Sequence, residues 1–116
     1  MSWAIGAAGW DHHCGDVWRQ AVQVAEGRDI CDVVGPSPRS RREWRVMMAR
    51  NNARSLHDLV CLLHGDALPV RMARRGDLVM FGRGALGVCR GELVEFYGGA
   101  LVPLAACACA WHLQED

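Results

Sequence analysis

The residues best suited to chemistry lie near the start of the chain, where Gly9-Trp10-Asp11-His12-His13-Cys14-Gly15-Asp16 gathers a thiol, two imidazoles and two carboxylates. Asp11 has the character of a helix N-cap, and Gly27 that of a C-terminal stop. Between them Cys14, Trp18, Ala21, Val22 and Ala25 recur at helical spacing, which predicts a helix from about Asp11 to Glu26 with these side chains on its inner face. Cys14 then falls in the first turn, where unpaired backbone amides and the helix dipole stabilise a thiolate and lower its pKa. A nucleophilic cysteine is commonly prepared this way, and the same inward position also suits a thiol that only fills the core.

A catalytic thiol needs a base within reach. His12 and His13 stand beside Cys14 in its own turn, where neighbouring side chains diverge. His57 and His64 are seven residues apart and share the face of a later helix, and His112 follows Trp111 in the last apolar run. No spacing aims any of them at Cys14, and each reads as a solvated or hydrogen-bonded imidazole ahead of a catalytic one. Cys107 and Cys109 alternate along an expected strand, which would put both on one side with His112 nearby, half of a zinc or iron–sulfur ligand set. No second pair completes four ligands, and Ala-Ala-Cys-Ala-Cys-Ala is also what a packed strand looks like. No metal or other cofactor is expected.

These residues must be positioned by a single core, since 116 residues suffice for one domain and are too few for two. Apolar residues make up 51% and charged residues 22%, an ordinary globular composition. The 13 basic residues, all arginine, balance 13 acidic ones, so no net field gathers nucleic acid, and none is expected as a partner. No apolar run is long enough to span a bilayer, and Met1-Ser2-Trp3-Ala4-Ile5-Gly6 lacks the features of a signal peptide, so the expectation is a non-secreted chain. In that setting Cys14, Cys31, Cys61, Cys89, Cys107 and Cys109 read as thiols rather than a disulfide framework, most of them buried, with Cys14 the exception.

The expected architecture is α+β. Gly35-Pro36-Ser37-Pro38 marks a loop from about Asp29 to Arg39. Ser40 with Glu43, and Ser55 with Asp58, are capping patterns that open a second and a third helix. The second has Trp44, Met47 and Met48 inside and ends near Asn51 or Asn52; the third carries Leu56, Leu59, Val60 and Leu63 and stops at Gly65. From Pro69 onward the pattern becomes short apolar runs between glycines: Asp77 to Phe81, Ala85 to Arg90, Leu93 to Tyr97, Leu101 to Leu104, and a last one near Cys109 to Leu113. Gly82 to Gly84, Gly91-Glu92 and Gly98-Gly99 suit tight hairpins, predicting a curled antiparallel meander of four or five strands. Trp18 and Trp44 belong inside; Trp3 and Trp10, in residues 1–10, are candidates for a protein interface or for a fold-back over the core edge.

Three stretches in order, Trp10-Asp11-x-x-Cys14 opening a helix, Arg74-Arg75-Gly76-Asp77-Leu78-Val79, and Leu86-Gly87-Val88-Cys89-Arg90-Gly91-Glu92, resemble the layout of NlpC-type cell-wall cysteine peptidases. They resemble more closely a family of small proteins encoded in the tail-gene modules of bacteriophages and prophages. The likeness runs from about Trp10 through Ala110-Trp111-His112-Leu113. It implies a papain-like core, with the cysteine helix lying across a small antiparallel sheet, and a place at the tip of a phage tail, where such peptidases open the cell wall during DNA delivery. Cys14 takes the nucleophile position. The general-base histidine of the active enzymes would precede Leu86-Gly87-Val88, and there this chain has Ala85, while Leu93 to Tyr97 offers no histidine to orient it.

The expected function is therefore that of a structural or adaptor protein in a tail tip or baseplate, with a degenerate catalytic set. Its expected partners are other tail-tip or hub proteins, with a peptidoglycan peptide as a possible ligand of the cleft, and its expected place is the virion tail after assembly in the host cytoplasm. The alternatives are a working peptidoglycan peptidase or amidase using Cys14, and a stand-alone thiol or metal protein of the bacterial cytoplasm.

Overall fold

The computed structural model describes residues 12–82 and 84–113, with side chains from residue 15 onward. Trp3, Trp10 and the Asp11 cap lie outside the described residues, as does the side chain of Cys14.

Within them the chain forms α1 (His12–Glu26), α2 (Cys31–Val34), α3 (Arg41–Arg50) and α4 (Leu56–His64), followed by strands β1 (Leu78–Phe81), β2 (Ala85–Cys89), β3 (Leu93–Glu95), β4 (Leu101–Pro103) and β5 (Cys109–Trp111). The α+β class is as expected, with helices first and sheet second. Local chemistry explains the helix boundaries. Ser40 Oγ accepts from Glu43 N at 3.1 Å, and the Glu43 carboxylate accepts in return from Arg39 N at 3.1 Å. The second cap repeats this: Ser55 Oγ accepts from Asp58 N at 3.1 Å and Asp58 Oδ2 accepts from Arg54 N at 3.0 Å. Each arrangement satisfies donors that a helix start leaves unpaired. Gly27, at φ 69°, ends α1 in the left-handed region where a side chain would be strained.

The loop expected from Asp29 to Arg39 contains the additional one-turn helix α2. Its start is held by Asp29 Oδ1, which accepts from Cys31 N at 3.0 Å, and it is anchored by fully buried Ile30 and by Val34. Pro36 and Pro38 act only after Val34, so they end this turn rather than prevent it.

The five strands form one antiparallel sheet in the order β4-β3-β2-β1-β5. The first four make the expected meander, with Met80 opposite Leu86, Cys89 opposite Val94, and Val94 opposite Val102. The last departs from it: β5 returns to the free edge of β1, with Leu78 opposite Trp111 and Met80 opposite Cys109. The chain leaves β4 through a short turn at Leu104–Ala106, where Leu104 N donates to Glu92 O at 2.8 Å. Beyond β5, Leu68 bridges to Ala110.

Strand alternation divides the side chains between two faces. Leu78, Met80, Leu86 and Trp111 meet Trp18 and Val22 of α1, Trp44 of α3, and Leu56 and Leu59 of α4 in the main core. On the other face Val79, Cys89, Val94 and Ala110 form a smaller cluster, covered by Val70, Phe96 and Leu104 from the connections. Gly87 lets β2 and β3 come close. A Cβ there would stand 2.8 Å from Glu95 O, 2.8 Å from Val94 Cγ1 and 2.9 Å from Phe96 Cδ1, and a backbone carbonyl cannot swing aside. Gly87→Ala is expected to cost about 1–3 kcal/mol, the usual range for overpacking, read as a lower urea midpoint. An unchanged midpoint would mean that the strands are not held this tightly.

Candidate active-site cleft along the first helix

Cleft and thiol position. Helix α1 lies across β2 and forms one wall of a cleft of about 500 Å³, through Val17, Gln20, Ala21, Val24 and Ala25. The opposite wall comes from Val88 and Arg90 at the end of β2, Glu95 at the end of β3, and the Phe96–Gly99 turn. Cys14 occupies the first turn of α1, one turn before Val17. The thiol position picked out by the sequence thus precedes a preformed groove on the same helix. Val24 and Tyr97 leave its rim apolar and open, while Arg90 Nε and Glu95 Oε1, 3.0 Å apart, place an ion pair within it. A groove of this size lies within the range of small-ligand clefts.

The base position is another matter. Ala85 opens β2 opposite Phe81, and alternation sets it with Gly87 and Cys89, on the face that α1 does not cover. Phe81 in turn packs edge-on to Phe96, with ring centroids 6.2 Å apart. An alanine methyl group here accepts no proton.

Each described imidazole is committed elsewhere. His64 Nε2 accepts a hydrogen bond from Trp18 Nε1 at 3.0 Å, and burial holds its pKa below the usual histidine value. His57 tilts against Trp111 with centroids 5.4 Å apart, and its Nδ1 lies 3.7 Å from Cys61 Sγ. His112 Nδ1 lies 2.6 Å from Oδ2 of Asp77, whose side chain is almost fully buried. The same carboxylate accepts from Arg74 N at 2.7 Å and from Leu113 N at 3.2 Å. Asp77 thus clasps the end of β5 to the start of β1, a role that neither residue's local sequence announces.

The thiols differ from expectation. Cys89 is buried, but Cys31, Cys61, Cys107 and Cys109 are only half-buried, because they sit at element ends and on the margins of the two clusters. Burial pushes the thiol pKa values of Cys31, Cys107 and Cys109 up, the opposite of activation. The expectation that Cys107 and Cys109 share a side is also corrected. Cys107 ends the short turn before β5 and meets the smaller cluster, whereas Cys109 lies in the strand and meets the main core. Among the described residues no three His, Cys, Asp or Glu side chains converge as a metal site, and no helix is long and apolar enough to cross a membrane.

Residues 4–113 match the model of a family described as a domain of unknown function, DUF6950. No curated protein and no solved structure matches the chain.

Proposed function

From the premise that the chain belongs to the DUF6950 family, we propose that it is a structural or adaptor component of a bacteriophage tail tip, built on an NlpC-type, papain-like fold that has lost its catalytic set. The observation that carries this reading is the fate of the bases. Alanine stands at the position the resemblance assigns to the histidine, and His57, His64 and His112 are each engaged by another side chain. What supports the papain-like part is the course of α1, with Cys14 in its first turn, across β2 of an antiparallel sheet; the place of Ala85 on the opposite face of β2 counts against a working pair there. A groove along α1, with every described imidazole engaged elsewhere, suits binding better than bond breaking. Other tail-tip or hub proteins are the partners, and the virion tail is the site of action.

One observation favours the alternative, a working peptidoglycan peptidase or amidase: Cys14 lies in the first turn of the helix whose following turns line the cleft. The pH dependence of Cys14 alkylation by iodoacetamide, located by mass mapping and paired with a peptidoglycan hydrolysis assay, separates the two. The adaptor should alkylate slowly near neutral pH, with an apparent pKa near the reference value of about 8.5, and show no hydrolysis above a Cys14→Ser control. A pKa several units lower, together with hydrolysis abolished by Cys14→Ser, would establish the enzyme and overturn the adaptor reading.

A further inference from the structure

The zero net charge of the chain conceals a local excess. Between positions 39 and 54 lie six arginines, Arg39, Arg41, Arg42, Arg45, Arg50 and Arg54, and one acidic residue, Glu43. All six arginines are exposed, and among the described residues none forms a side-chain ion pair. Glu43 is occupied at the helix start, where it accepts from Arg39 N.

Helix geometry gathers much of this charge on one side. Trp44, Met47 and Met48 face the core, so Arg42, Arg45, Val46, Ala49 and Arg50 face outward, with Val46 46% exposed at the centre. Arg50, in the last turn, complements the helix dipole, but the start of the helix is not served. Arg41 and Arg42 lie in its first turn, where positive charge opposes the helix dipole and weakens it. A small apolar centre rimmed by guanidinium groups is instead the anatomy of a protein interface, where arginine forks pair with carboxylates.

We propose that the outer face of α3 docks an acidic helix of a partner protein, seating an apolar side chain on Val46 and Ala49 and carboxylates on Arg42, Arg45 and Arg50. Charge complementarity selects the partner, and Val46 sets the register. Nucleic acid fits less well, because a phosphate track would lie against Val46 and a neutral chain supplies no long-range steering. The inference deepens the adaptor reading by naming the chemistry of a partner, but it concerns a surface remote in sequence from Cys14 and can stand if that reading fails.

The test uses the full chain and three fluorescent probes: a synthetic amphipathic helix with a leucine stripe flanked by glutamates, a scrambled peptide of the same composition, and a short DNA duplex. Anisotropy at low salt should show the patterned helix bound about tenfold more tightly than the scrambled one, and weakened by added salt. Arg42→Glu/Arg45→Glu should weaken binding about tenfold or more, as should Val46→Asp. Arg42→Glu alone should leave the melting temperature unchanged or raised, because glutamate suits the first turn, and this separates lost binding from lost folding. Equal affinity for the two peptides, undiminished binding by the charge-reversed variant, or tighter binding of the duplex would each overturn the proposal.

Discussion

Asp77→Ala is expected to lower the unfolding free energy by about 3–5 kcal/mol, a large share of the roughly 5–15 kcal/mol that a domain of this size possesses. The carboxylate is 2% exposed and takes bonds from Arg74 N, Leu113 N and the His112 ring, with the Arg74 guanidinium 3.6 Å away. Removing it strands a buried amide at Leu113 and breaks the link between β1 and the chain's last strand. Asp77→Asn keeps the volume but turns one acceptor into a donor facing other donors, so it should fall between the alanine variant and the native chain. Urea denaturation of the three proteins checks the order. A loss below about 1 kcal/mol in Asp77→Ala would mean that the clasp is ornamental.

Trp18→Ala is the second large effect, again about 3–5 kcal/mol, because it empties the volume of a fully buried indole where α1 meets the sheet and α4. Trp18→Phe keeps most of the volume and isolates the polar part. It removes the indole donor from His64 Nε2, a bond worth about 1 kcal/mol. That bond requires an unprotonated Nε2, which agrees with a histidine pKa held down by burial. Since the folded value lies below the unfolded one, the unfolded chain binds more protons between them, and stability rises with pH. The His64 contribution is therefore complete above the ordinary histidine pKa of about 6.5, and is lost as pH falls from there toward the folded value. His64→Gln, which can still accept from Trp18, should flatten this part of the pH profile; an unaltered profile would assign it to another group.

The parts of this fold that could be read along the chain are those whose causes are local. Ser40 with Glu43 and Ser55 with Asp58 announce two helices because each cap closes within four residues. Glycines after β1, β2 and β3 announce hairpins because the turns themselves need them. Helix α2 escaped because the side chain that holds its start, Asp29, stands just before a stretch whose prolines dominate the local pattern. The return of β5 to β1 escaped for a different reason: its pairing is chosen by burial of Trp111 and by the Asp77 clasp, which joins residues 35 positions apart. The site divides along the same line. The place of Cys14 in a first turn was legible from helix signals, whereas the occupation of His64 by Trp18, 46 residues distant, exists only in the folded chain.

The two borders of the sheet bear on how copies of this protein behave when crowded together. On one side β4 is three residues long and closes on Pro103, which has no amide proton to offer; on the other, Leu68 exchanges both of its backbone hydrogen bonds with Ala110. Each border is thus a poor template for an incoming strand, the state from which fibrils and swapped oligomers grow. A molecule closed in this way can reach high local concentration in an assembly while its main chains stay separate. Any neighbours it acquires must then be chosen by side-chain chemistry, where the choice is open to adjustment one residue at a time.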